Sequence, residues 1–81
     1  MSCEYNGHKG ILNTKTNEVY FYKLVFENII HAIKFLENLE PGNYVGWVHD
    51  SIYGIYDEVT DMYFTNTRGW VSPIIYKMMI K

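Results

Sequence analysis

Apolar residues along this chain follow two different periods. Phe26, Ile29, Ile30, Ile33 and Leu36 recur at helical spacing, with His31, Lys34 and Asn38 on the opposite side. This predicts one principal amphipathic helix over about residues 27–40, closed by Pro41-Gly42. Elsewhere the apolar runs are short, rich in β-branched and aromatic residues, and punctuated by turn formers. Tyr44 to Val48 predicts a strand, and the turn-like run from Thr65 to Gly69 separates the tail from what precedes it.

Two segments read alike: Gly10-Ile-Leu-Asn-Thr-Lys-Thr-Asn-Glu-Val-Tyr-Phe21 and Gly54-Ile-Tyr-Asp-Glu-Val-Thr-Asp-Met-Tyr-Phe64, one residue shorter in its second arm. Each predicts a β-hairpin. The turn opens on Asn13 or Asp57, whose side chain can bond its own backbone two residues on. It closes on Asn17 or Asp61, residue types that tolerate a left-handed backbone, as in a type I turn with a bulge. The second hairpin is expected over about 52–64. On the strand after the first turn, Tyr20, Tyr22 and Leu24 alternate with Phe21, Lys23 and Val25, so the two faces are not cleanly sorted. Such a sheet, apolar on both sides, would be covered in part by another subunit or partner.

The tail, Ser72 to Lys81, leaves two readings open. Ser72 as a cap with Pro73 as first helical residue and lysines near the end favours a helix; Ile74, Ile75, Tyr76 and Ile80 favour a strand. A helix would make the chain a hairpin-helix unit roughly repeated. The expected fold class is α+β: an antiparallel sheet of two hairpins and an additional strand packed on one principal helix, with a short C-terminal helix or strand. Residues 1–81 are expected to form a single compact domain whose first few residues are mobile.

Composition narrows the class. With 48% apolar residues the chain can fill a small core, and its 17% aromatic content serves core or interface alike. A single cysteine, Cys3, excludes an intramolecular disulfide and fits a reducing, cytoplasmic setting. No apolar run reaches the length of a membrane span.

Charge is uneven. Residues 1–36 carry +1, 37–61 carry −6 and 62–81 carry +3. The middle block holds Glu37, Glu40, Asp50, Asp57, Glu58 and Asp61 with no Lys or Arg, interleaved with Tyr44, Trp47, Tyr53 and Tyr56. With a pI near 5.8, duplex nucleic acid is a poor partner.

Catalytic and cofactor motifs are missing from the sequence. His49-Asp50-Ser51 has the residue types of a hydrolase triad, but a triad is made by convergence in space, and neighbours on a strand point apart. His8, His31, His49 and Cys3 show no metal-ligand spacing, and His31 reads as a solvent-facing helix residue. No cofactor, metal or enzymatic activity is expected. Trp47 and Trp70, each in Gly-Trp-Val, read first as core; exposed, either would be the best hot-spot candidate.

Glu37 and Glu40 sit at a helix C-terminus, where a carboxylate is mildly unfavourable and solvated, and they drop out. The candidate partner-binding residues are therefore Asp50, Tyr53, Tyr56, Asp57, Glu58 and Asp61. They describe a small non-enzymatic intracellular binding protein that meets a basic surface through an acidic-aromatic hairpin, as a viral or mobile-element accessory inhibitor occupying a host nucleic-acid-binding cleft would. Two alternatives are a single-stranded RNA- or DNA-binding domain using Tyr and Phe beside Lys9, Lys23 and Arg68, and a homo-oligomeric structural accessory protein.

Overall fold

The computed structural model describes residues 1–81. The fold is α+β, with two four-stranded antiparallel sheets and two helices. The chain divides into two compact units, Met1–Gly42 and Asn43–Lys81, each with one sheet followed by one helix. The single sheet expected from the sequence is thus two.

In the first unit β1 (Ser2–Tyr5), β2 (His8–Leu12), β3 (Val19–Phe21) and β4 (Leu24–Phe26) form a meander in the order of the chain. The first residues are not a loose terminus: β1 pairs with β2 across the two-residue turn Asn6-Gly7, both left-handed (φ 49° and 86°). Asn-Gly is the dipeptide such a turn prefers. Tyr22 and Lys23 are not part of a continuous strand either. Both have positive φ (52° and 69°) and turn β3 into β4, so Phe21 pairs with Leu24.

That turn sorts the faces that simple alternation leaves mixed. Cross-strand partners share a face, so His8, Gly10, Val19, Phe21, Leu24 and Phe26 all point inward and are buried, while Lys9, Ile11 and Val25 are exposed. Left-handed backbone costs an ordinary residue about 1–2 kcal/mol, and glycine escapes most of it. Lys23 is exposed, so Lys23→Gly is expected to raise stability by roughly 0.5–1 kcal/mol, read as a higher urea midpoint at unchanged slope.

Helix α1 (Ile29–Leu36) is shorter than the periodicity predicts. It begins late because Asn28 is extended and its Oδ1 accepts the His31 N–H at 3.1 Å, a standard cap that fixes the first turn. It ends early because Leu39 turns inward, 1% exposed, with its carbonyl presented to His8. Ala32, Phe35 and Leu36 form its buried side, and Phe35 meets Phe26 at 5.6 Å. Glu37 caps the C-terminus and Glu40 lies beyond it.

The second unit repeats the order: β5 (Tyr44–His49), β6 (Ile52–Asp57), β7 (Met62–Thr65), β8 (Gly69–Val71) and α2 (Pro73–Met79). Ser72 caps α2 by accepting the Ile75 N–H at 3.3 Å and Pro73 opens it, so of the two readings of the tail the helix is the observed one. The hairpin likeness extends further than the shared letters. Ile11 pairs with Tyr20 as Ile55 pairs with Phe64, and Leu12 with Val19 as Tyr56 with Tyr63. In space the two arms therefore match without a gap, and Phe21 corresponds to Thr65, not Phe64. Ala32 and Tyr76 occupy equivalent helix positions, four residues after the caps Asn28 and Ser72. The units trade volume: a large Phe21 with a small Ala32 in one, a small Thr65 with a large Tyr76 in the other. No helix is long and apolar enough to cross a membrane.

Candidate functional site: the α2-side face of the second sheet

The loop joining β6 and β7 is built by its own carboxylates. Asp57 Oδ1 accepts the Val59 N–H at 3.0 Å and Oδ2 accepts the Thr60 hydroxyl at 3.2 Å. Asp61 is left-handed (φ 55°) and donates its N–H to the Asp57 carbonyl at 2.9 Å. Its Oδ1 accepts the Tyr56 hydroxyl at 2.8 Å. That bond, then partial burial and the nearby carboxylate charge, raises the Tyr56 phenol above its ordinary range.

The sister loop in the first unit has the same design without the charge. Asn13 Oδ1 accepts the Lys15 and Thr16 N–H groups at 3.0 and 3.4 Å, and Asn17 (φ 66°) donates its N–H to the Asn13 carbonyl at 2.7 Å. Each loop spans four residues and closes on the left-handed Asn17 or Asp61, the closing positions expected from the sequence. Asparagine suffices for this backbone. The negative charge of Asp57 and Asp61 is therefore additional to what the loop requires. At the apex, Val59 is 89% exposed where the sister loop carries Lys15.

Of the sequence-predicted residues, Tyr56, Asp57, Glu58 and Asp61 gather at this tip. Asp50 and Tyr53 do not. Asp50, left-handed at φ 57°, lies in the β5–β6 turn, separated from Asp57 by the length of β6, roughly 17 Å. Tyr53 points to the opposite face from Tyr56, and the strand end it occupies is tied by Asn66, whose Oδ1 accepts the Tyr53 N–H at 2.9 Å and whose Nδ2 donates to the Ser51 carbonyl at 3.0 Å. His49 Nε2 and Asp50 Oδ2 are 3.9 Å apart on the surface, so these neighbours do approach each other.

From the tip a row of rings runs inward. Tyr56 meets Tyr63 at 4.9 Å, and Tyr63 stacks on Tyr76 at 4.0 Å with planes 5° apart. Tyr76 is 5% exposed and lies against Gly54; burial, then the neighbouring Tyr63, raises its phenol as well. Beside it a groove of about 290 Å³ is lined by Trp47, Val48, His49, Tyr63, Tyr76 and Ile80. Trp47 pairs across to Gly54 and so shares this face.

Neither tryptophan is a core residue. Trp47 is 49% exposed and Trp70 41%, because β5 and β8 are the two edges of the sheet, where a side chain has neighbours on one side only. They lie on opposite faces: Trp70 pairs with Phe64 and contacts its ring at 5.2 Å. Val59 and the groove were outside the residues the sequence singles out as a site, whereas Trp47, the hot-spot candidate if exposed, is exposed. A usable signal for Val59 lay in the aligned loops, where it replaces a lysine.

The remaining candidates are structural or surface groups. His8 is fully buried, with Nδ1 2.7 Å from the Tyr22 hydroxyl and Nε2 2.6 Å from the Leu39 carbonyl. His31 lies on the helix surface, 3.6 Å from Glu27. Cys3 is half-buried within β1. No protein-family model matches the chain, and no curated protein or solved structure matches it.

Proposed function

We propose that this is a non-enzymatic binding protein that engages a basic protein surface through the β6–β7 tip, with Asp57, Glu58 and Asp61 supplying the field and Tyr56 and Val59 the desolvated contact. The observation that carries this reading is the comparison of the two loops. Asn13 and Asn17 make the same turn that Asp57 and Asp61 make, so the fold does not require the acids. A rigid, one-signed tip raises encounter rates with an oppositely charged surface and adds less to the lifetime of the complex. A partner whose basic cleft holds nucleic acid offers that surface, and its occupation by this tip would be inhibitory.

The single-stranded nucleic acid alternative, set beside Lys9 and Lys23 on the first sheet, has less support, and the ring row of the second sheet ends among the acids of the tip. Phe21 and Phe26 are core residues, and the outer face of the first sheet offers the one ring of Tyr20 between Ile11 and Val25. A stacking platform needs successive rings.

The test is the variant Asp57→Asn, Glu58→Gln, Asp61→Asn, which the sister loop shows to be compatible with the turn. Its thermal midpoint is expected to stay close to that of the parent. Its association rate with a short arginine-rich peptide at low salt is expected to fall by roughly tenfold or more, with a shallower dependence on ionic strength. An unchanged rate and salt slope would refute the acidic-tip reading.

A further inference from the structure

The groove beside α2 belongs to no part of the tip, yet the ring row joins the two. It is close to the lower end of small-molecule pocket sizes, about 300 Å³, and so fits one side chain better than a cofactor. It is lined by four rings, Trp47, His49, Tyr63 and Tyr76, with Val48 and Ile80, and Trp47 presents half its surface to solvent. Both ends of this face carry acids: Asp50 follows His49 at one end, and Asp61 holds Tyr56, next in the ring row after Tyr63, at the other. From Asn43 to Thr67 the unit has Asp50, Asp57, Glu58 and Asp61 and no Lys or Arg. The unit's cations are Arg68 in the turn before β8, Lys77 in the helix and Lys81 beyond it, and none lines the groove.

We propose that this groove receives an arginine side chain of the basic partner, stacked on Trp47, while the acidic tip meets neighbouring cations of the same segment. The inference rests on the proposed function and adds to it the anchoring residue type. Electron-rich ring faces attract a cation, and indole does so best. A planar guanidinium can lie flat on an indole ring, which a compact, strongly hydrated lysine ammonium does less well. An aliphatic stem against Ile80 completes the fit.

The experiment uses the full chain with Trp70→Phe, which keeps the ring contact to Phe64 and leaves Trp47 as the sole indole. It is titrated with a short arginine-rich peptide, its lysine counterpart and its citrulline counterpart, none containing aromatic residues. A saturable change in Trp47 emission is expected with the arginine peptide, smaller with lysine and absent with citrulline. Trp47→Leu, checked for folding by circular dichroism, is expected to weaken arginine-peptide binding roughly 2- to 30-fold without changing its salt slope. Equal binding of the arginine and lysine peptides with a silent Trp47 overturns the groove assignment and leaves the acidic tip standing. A Trp47 response that persists undiminished when the three tip acids are neutralised supports the groove and refutes the tip. A single-stranded oligonucleotide that gives the same Trp47 response overturns the arginine assignment in favour of base stacking.

Discussion

Replacing His8 by alanine is expected to cost about 3–5 kcal/mol, enough to unfold a unit of this size at ordinary temperature. The imidazole is 0% exposed, and both of its nitrogens are engaged. The Leu39 carbonyl can only accept, so Nε2 carries a proton and donates it, and in the neutral ring Nδ1 then accepts from the Tyr22 hydroxyl. This one ring ties β2 to the turn after β3 and to the chain leaving α1. Truncation opens a cavity the size of the ring and strands the Leu39 carbonyl, a buried acceptor that costs about 1–3 kcal/mol when unpaired. His8→Phe refills the volume but not the bonds, and is expected to recover only part of the loss. Urea unfolding measures both. A change below about 1 kcal/mol for the alanine variant would mean the hydrogen bonds contribute little.

The second large effect is expected at Gly54. A Cβ there would stand 2.6 Å from both Cε1 and the hydroxyl oxygen of Tyr76, well inside contact distance. The ring cannot swing away freely, because Tyr63 is stacked on it at 4.0 Å. Gly54→Ala therefore has to lift α2 from the sheet or shift the strand, and overpacking of this kind costs about 1–3 kcal/mol. Loss of the near-ultraviolet circular dichroism of the tyrosine stack is expected to accompany the lower stability. Because Tyr76 is also a wall of the groove, the variant is expected to lose the Trp47 response to peptide. Full stability with an intact stack would show that the sheet and helix are less tightly fitted than these distances indicate.

The helix and the two Asx-opened hairpins were legible because they depend on local chemistry. Period, capping residues and turn formers act within a few residues of each other, and Asn13, Asn17, Asp57 and Asp61 do in the structure what their types allow. What was not legible depended on partners distant in sequence or on non-glycine residues forced left-handed. Tyr22 and Lys23 have no turn propensity to announce them. The helix stops at Leu36 because Leu39 is needed against His8, thirty-one residues away. Asn6-Gly7 and Asn28 carry a hairpin-turn and a helix-cap signal that went unread, which is why the first residues were expected to be mobile and the helix to begin near residue 27.

The acidic segment shows the same division. Its turn acids were placed correctly at a hairpin tip, but Asp50 and Tyr53 lie at the far end of β6 from them, since adjacency in sequence along a strand becomes distance in space. The tryptophans were read as core because size alone favours burial. Strand order decides otherwise, and that order places both on edges. Trp47 and the tip then share a face through Tyr56, Tyr63 and Tyr76, a continuity that no run of residues displays.

Tip and groove are held to form one binding surface, and amide and indole NMR shifts read this directly. On titrating the isotopically labelled full chain with a short arginine-rich peptide, the predicted result is shifts at Tyr56 to Asp61 together with the Trp47 indole N–H, while the Trp70 indole on the opposite face stays in place. Shifts confined to Lys9, Ile11, Tyr20 and Val25 on the first sheet, or a Trp70 response without one from Trp47, would contradict it.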